Sequence, residues 1–268
     1  MTNMKYEFVE GDERVVAPGV VVKRIRALVA ISATFFAPAV APGDMGGYVQ
    51  SEANLMVSGD AWVSGDARVY GNARVSGTAQ VSGDAWVSGD AWVSGDAWVS
   101  GTAQVYGTAQ VSGDAWVSGT AQVSGDAWVS GDAQVYGDAW VSGDAQVYGN
   151  ARVYGNAQVS GNAWVYGDAR VSGSAQVSGD ARVYGDGLVF WASKVGTENG
   201  TLTAYSAKGD AILVTRGCFL GTAAEFLAKS AKEHDERTHR EYGLLLEVAK
   251  SRIDAARAST PRPIGDQP

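Results

Sequence analysis

The sequence predicts a mainly β protein: a three-sided parallel β-solenoid followed by a small α+β module. Three observations carry this. Val recurs at every sixth position from Val57 to Val189. Gly follows two places later, from Gly59 to Gly185, and Ala recurs from Ala61 to Ala181. The word is Val-[Ser/Tyr]-Gly-[Asp/Asn/Thr/Ser]-Ala-[Trp/Gln/Arg], and it runs through 22 consecutive copies, the last departing from it where Gly187 replaces Ala and Leu188 follows.

A period of six does not suit a helix, where each Val would be rotated about 240° from the last. It suits a very short strand with a corner. In Ala-Trp-Val-Ser, Ala and Val face one way and Trp and Ser the other. Gly then takes a positive φ and turns the chain, with Asp or Asn beside it as a turn residue. So short a strand cannot bury its face alone, and successive words must coil around a shared interior and stack. Three words per coil give 18-residue turns and about seven coils; two words per coil is the alternative.

The elements follow in order. Residues 1–56 form a β-rich N-terminal cap, from "RVVAPGVVVKRIRAL", which would cover the first coil's unpaired edge. Within it, "KRIRALVAISATFFAPAVAPG" has the rough outline of a signal peptide. Mostly polar residues precede it, however, Pro38 and Pro42 interrupt it, and it is too short to span a bilayer. It reads as a buried strand pair. "SEANLM" fits the repeat frame loosely, with Leu55 in the Ala column. Residues 57–191 are the solenoid. Residues 192–258 hold a hairpin, "GTLTAY" with "DAILVTRGCF", and two helices. Thr222 with Glu225 starts the first helix, to about His234, and Thr238 with Glu241 starts the second, to about Ala256. Leu244, Leu245, Val248 and Arg252/Ile253 form a stripe on the latter, to cap the rod or dock a partner. Residues 259–268 read as a flexible tail.

Stacking at 18 residues places Trp62, Gln80, Trp98, Trp116 and Gln134 in one outward column. The other two begin Arg68, Trp86, Gln104 and Arg74, Trp92, Gln110. The expected interaction surface is Trp62, Trp86, Trp92, Trp98, Trp116, Trp128, Trp140 and Trp164, with Tyr148, Tyr166 and Tyr184. These flat side chains can stack along the axis, either to stiffen the sheet or to present an aromatic docking face.

Charge narrows the partners. The net charge of −8 resides in the repeat, which carries 13 Asp against 5 Arg between Val57 and Leu188. That excludes duplex nucleic acid as the expected partner. The one cysteine, Cys218, leaves no intramolecular disulfide, as in a reducing compartment. Cytoplasmic location in a bacterial host, or association with a virion, is expected, with no membrane.

The word is similar to the hexapeptide of left-handed β-helices, whose best-known owners are acyltransferases. The flanks "VKRIRAL" and "PGDMGGYVQSEANL" resemble the N-terminal cap of hexapeptide-repeat proteins common in phages and prophages. "GCFLGTAAEFLAKSAKEH" and "REYGLLLEVAKSRI" resemble that family's helical C-terminal region. The resemblance covers about residues 5–257 and implies a left-handed coil and phage or prophage origin, with no settled activity.

Catalysis is not expected. Hexapeptide acyltransferases resemble one another in a His general base, a group suited to proton abstraction near neutrality. The coil contains no His and no loop insertion; His234 and His239 lie far downstream. Cys218 with either histidine is a conceivable nucleophile and base, against the structural reading of a small buried hydrophobe. Asp96, Asp114 and Asp132 stack as weak metal candidates, against solvated corners that accept hydrogen bonds from turn amides. No cofactor is expected. The function expected is a non-enzymatic scaffold with a protein partner or self-association. The alternative is a binding module whose ladders hold a glycan or β-rich protein, with an acyltransferase-like enzyme a distant third.

Overall fold

The computed structural model describes residues 5–35 and 37–260. The chain divides into two compact units, residues 1–138 and 139–268. It is mainly β, a parallel stacked solenoid of about eight turns with three parallel sheets, plus a small C-terminal α+β module.

In the first unit, β1 (Tyr6–Ala17) and β2 (Val20–Ala27) form an antiparallel hairpin through Pro18 and Gly19, and β2 pairs antiparallel with β3 (Met45–Val49). Strand β3 then turns to parallel pairing, Tyr48 opposite Arg68 and Val49 opposite Val69. This seats the cap on the first repeat strands. The repeat strands follow one per word, β4 (Trp62–Val63) through β24 (Arg182–Val183), most of them two residues long. Pairing is at a register of 18, as in Trp98 opposite Trp116 and Val99 opposite Val117. Each coil donates to the next, for example Trp98 N–H to Ala115 C=O at 2.9 Å and Ser100 N–H to Val117 C=O at 2.9 Å. Three words therefore make a turn. The Ala and Val columns fill the interior and are excluded from solvent from Ala61 to Val183.

The corner glycines carry two constraints at once. Gly95 has φ 68°, and a Cβ there would sit 2.9 Å from the Gly113 nitrogen of the next coil. Neither the dihedral nor the spacing admits a side chain.

The first turn differs from the frame read in the sequence. Leu55 bridges Val75 in parallel and is fully buried, while Val57 is 44% exposed. Leu55 thus takes the inward Val position, not the Ala column, and two extra residues lie between it and Val63. Val49 and Leu55 supply the interior of a turn outside the repeat, so the solenoid has about eight turns where the words alone predict seven. The expected buried strand pair also fails. Ile31 and Val40 form one isolated bridge, and Leu28, Val29 and Phe35 are exposed. Phe36 lies outside the described residues.

In the second unit, the repeat strands continue in the same register, Gln146 opposite Trp164 and Trp164 opposite Arg182. Instead of one hairpin, four antiparallel strands follow: β25 (Val189–Val195), β26 (Gly200–Ser206), β27 (Ile212–Arg216) and β28 (Phe219–Thr222). Their side chains cover the last coil. Gln176 N–H donates to Thr203 Oγ1 at 2.9 Å, Thr215 Oγ1 donates to Gln176 C=O at 2.6 Å, and Ser178 N–H donates to the Tyr205 hydroxyl at 3.2 Å. Edge groups that would otherwise seek another chain are thereby satisfied.

Helix α1 (Ala223–Glu233) starts with the expected capping box of Thr222 and Glu225. Helix α2 runs over Glu236–Ser259, longer at both ends than expected. Its cap is Asp235, whose carboxylate accepts from Thr238 N–H at 2.8 Å, so Thr238 lies inside the helix. The buried stripe is Tyr242, Leu246, Ala249 and Ile253, while Leu244 and Val248 face solvent. The tail from 261 onward lies outside the described residues; Ser259 belongs to the helix.

Candidate functional site

The outward columns are bound coil to coil. Trp92 Nε1 donates to Ser76 Oγ at 3.0 Å, Trp98 to Ser82 at 2.9 Å and Trp128 to Ser112 at 3.2 Å. Each indole therefore lies along the sheet and reaches the Ser sixteen residues earlier. Where a Tyr holds that earlier place the rings meet instead, as Tyr148 and Trp164 do edge to face at 6.4 Å. Trp98 stacks on Trp116 at 5.5 Å and Tyr148 on Tyr166 at 5.0 Å. Arg68 lies over Trp86 at 5.1 Å, and Arg182 over Trp164 at 4.2 Å. The Ser partners went unread in the sequence, although the signal is there: Trp92, Trp98, Trp116 and Trp128 each have Ser sixteen places earlier.

Exposure divides the predicted surface. Trp92, Trp128 and Trp140 are 48, 47 and 43% exposed. Trp86, Trp98, Trp116, Trp164 and Tyr148 are half-buried. Trp62, Tyr166 and Tyr184 are buried, and their placement on an outward surface is corrected. Trp62 lies under the cap, so close to Gly46 that a Cβ there would approach its ring to 2.7 Å.

The corner column also pairs between coils. Thr78 donates to Asp96, and Asn72 Nδ2 donates to Asp90 at 2.9 Å. In the second unit Asn150 Nδ2 donates to Asp168 at 3.0 Å. Asp96, Asp114 and Asp132 are exposed and follow one another in this column. Among the described residues no three His, Cys, Asp or Glu side chains are grouped to hold a metal ion.

The repeat is similar to the YdcK beta-solenoid repeat. Seven segments match it, at residues 67–83, 79–95, 121–137, 145–161, 157–173, 163–177 and 175–189. Together they cover about a third of the chain. No curated protein matches the chain.

At the N-terminal cap, Arg24 donates to Asp12 at 2.9 Å, Gly46 C=O at 2.9 Å and the Tyr48 hydroxyl at 2.7 Å. Arg14 and Arg24 both lie over the Tyr48 ring, at 4.2 and 4.3 Å. Hydrogen bonds from Arg24 and Tyr48 hold the Asp12 carboxyl below its ordinary pKa. Lys5 is buried and donates to Met56 C=O at 3.0 Å; burial lowers its pKa to about 8, opposed by the charge of Asp60.

In the C-terminal module, Cys218 is exposed in the β27–β28 turn, which overturns its reading as a buried hydrophobe. The His234 ring meets Tyr242 edge to face at 5.4 Å, and His239 Nδ1 lies 3.3 Å from Ser230 Oγ. No described helix is long and apolar enough to cross a membrane.

Proposed function

We propose that this chain is a non-enzymatic scaffold whose repeated turns present a stiff, repetitive surface to a protein partner or to further copies of itself. The observation that supports this is the use of the outward side chains. Indole N–H groups that would bind a ligand are given to Ser hydroxyls of the neighbouring coil, and each coil offers much the same surface. A catalytic site needs unique groups at one place, and the repeat has no His to act as a base. Phage or prophage origin, implied by the flanks, belongs to the same reading.

A second reading rests on Trp92 and Trp128, exposed on one sheet two coils apart with Gln110 between them. At about 4.8 Å per coil their rings are spaced ~10 Å along the stack. That suits a binding module for an extended glycan, whose sugar rings stack on aromatic faces.

Replacing Trp92, Trp128 and Trp140 together by Gln separates the readings. Gln already stands next to each in its own column, Gln110 between Trp92 and Trp128 and Gln158 beside Trp140, so the coil tolerates it. A scaffold gives no signal on a glycan array, and the triple variant captures protein from host lysate as the parent does. Glycan binding by the parent that the variant loses would put the binding module first. Removing the module beyond Phe190 is the poorer test, because it strips Thr203, Tyr205 and Thr215 from the last coil's edge.

A further inference from the structure

We infer that copies of this chain join head to tail, the exposed face of helix α2 in one copy seating in an acidic groove of the first unit in the next. The inference rests on the scaffold reading and names the partner as a second copy. Helix α2 buries Tyr242, Leu246, Ala249 and Ile253 and leaves its other face open. On that face stand Arg237, Arg240, Leu244, Val248 and Arg252, all exposed. They follow one another at steps of three or four residues and so form one ridge. Arg252 lies over the Phe190 ring at 5.9 Å. The helix's own ion pairs, Lys250 to Asp254 and Arg257 to Asp254, leave Arg237 and Arg240 uncommitted. The ridge is cationic at its N-terminal end and apolar at its middle, with Glu247 at its margin.

The first unit holds the complementary surface. A groove of about 440 Å³ lies between Ala33 and Phe35 on one side and Asp96, Asp114 and Asp132 on the other. Phe35 is 95% exposed, so the groove has an apolar wall open to solvent as well as an acidic one. The carboxylates come from successive coils, about 4.8 Å apart, and like charges so placed repel. Between Val75 and Asp138 the chain has seven Asp and no Lys or Arg to offset them. The cap's cations are engaged elsewhere, Arg14 with Asp66, Lys23 with Glu13, Arg24 with Asp12 and Arg26 with Glu7. Arg237 and Arg240, about 5–6 Å apart on a helix, match this column in charge and in spacing. Leu244 and Val248 then meet Ala33 and Phe35, and a guanidinium over the Phe35 ring adds a cation–π contact. Two different patches meet, so the contact is heterologous and copies add in series.

The experiment is sedimentation velocity on the full chain over a concentration series, at low and at raised salt. The average mass of the parent should climb with concentration, and less steeply as salt screens the charges. Two double variants divide the contact. Arg237→Gln with Arg240→Gln removes the helix charges, and Asp114→Asn with Asp132→Asn removes those of the groove. All four positions are exposed, and Asn already stands at this corner in Asn72 and Asn150, so both variants should melt as the parent does. Each alone should associate about tenfold more weakly than the parent. An equal mixture should regain the parent's affinity, because each variant keeps the face the other lacks, and it should stop at two chains. A parent that stays monomeric at low salt would overturn the inference, and so would either folded variant associating as the parent does, or a mixture no stronger than its components. A monomeric parent would still leave the scaffold reading to the lysate capture and glycan array.

Discussion

Replacing Gly95 by Ala tests whether the corner glycines are there for stacking as well as for turning. At φ 68° an L-residue sits in the left-handed region, which costs about 1–2 kcal/mol. The added Cβ would also lie 2.9 Å from Gly113 N, 3.1 Å from its O and 3.2 Å from its Cα. All three are backbone atoms fixed by the ladder, so the strain has no flexible side chain to relax into, and overpacking adds about 1–3 kcal/mol. The expected loss is about 2–5 kcal/mol. Gly19 provides the control. It has φ 75° in the β1–β2 turn, and a Cβ there meets nothing within 4 Å. Gly19→Ala should therefore show the dihedral cost alone, about 1–2 kcal/mol. Urea unfolding of both variants and the parent, followed by tryptophan fluorescence, gives the two losses. If Gly95→Ala loses no more than Gly19→Ala, the close approach between coils does not constrain the corner, and the argument for two simultaneous demands on each Gly is wrong.

Other outcomes follow from the ends and the outward rows. Thr203→Val keeps the shape but leaves Gln176 N–H unmatched at a covered edge, costing about 1–3 kcal/mol in urea unfolding; no loss would remove Thr203 from the cap's role. Trp98→Phe keeps a ring but frees Ser82 Oγ, for a loss of about 0.5–1.5 kcal/mol that should shrink in a Ser82→Ala background. Lys5 has a folded pKa of about 8, below its ordinary value of 10.5. The unfolded chain then binds more protons between these values, so stability rises as pH climbs from about 8 to 10.5 and the burial penalty is complete below that window. Lys5→Met should flatten this rise, and an unchanged slope would show that other groups produce it.

Wherever a feature depends on the word alone, it was legible in the sequence. The inward Ala and Val, the turning Gly and the 18-residue register all follow from spacing. What escaped depends on chain folded back from elsewhere. Trp62 has the same neighbours in sequence as Trp92, yet one is buried and the other half exposed, because the segment at Gly46 folds over the first coil. The additional turn was hidden because Val49 and Leu55 occupy the inward place without the Gly-Asp-Ala spelling. Thr238 with Glu241 satisfied the capping pattern, but Asp235, three residues earlier, captured Thr238 N–H and started the helix sooner. Cys218 precedes a strand that pairs back on β27, a pairing that a single hairpin did not anticipate.

The constancy of the partner at eighteen residues also bears on how the gene can change. Excising residues 96–113 would bring Thr78 opposite Asp114 in place of Asp96, and Gln80 opposite Trp116 in place of Trp98. The Trp116 indole would find Ser82 where Ser100 had been. Each exchange replaces a residue with another of the same kind. Recombination between near-identical stretches of coding sequence can therefore add or drop whole turns with little mutational load, while a gain or loss of one word rotates every downstream residue onto a different side. Natural variation in this gene should come in multiples of fifty-four nucleotides, since three words of six codons make one turn.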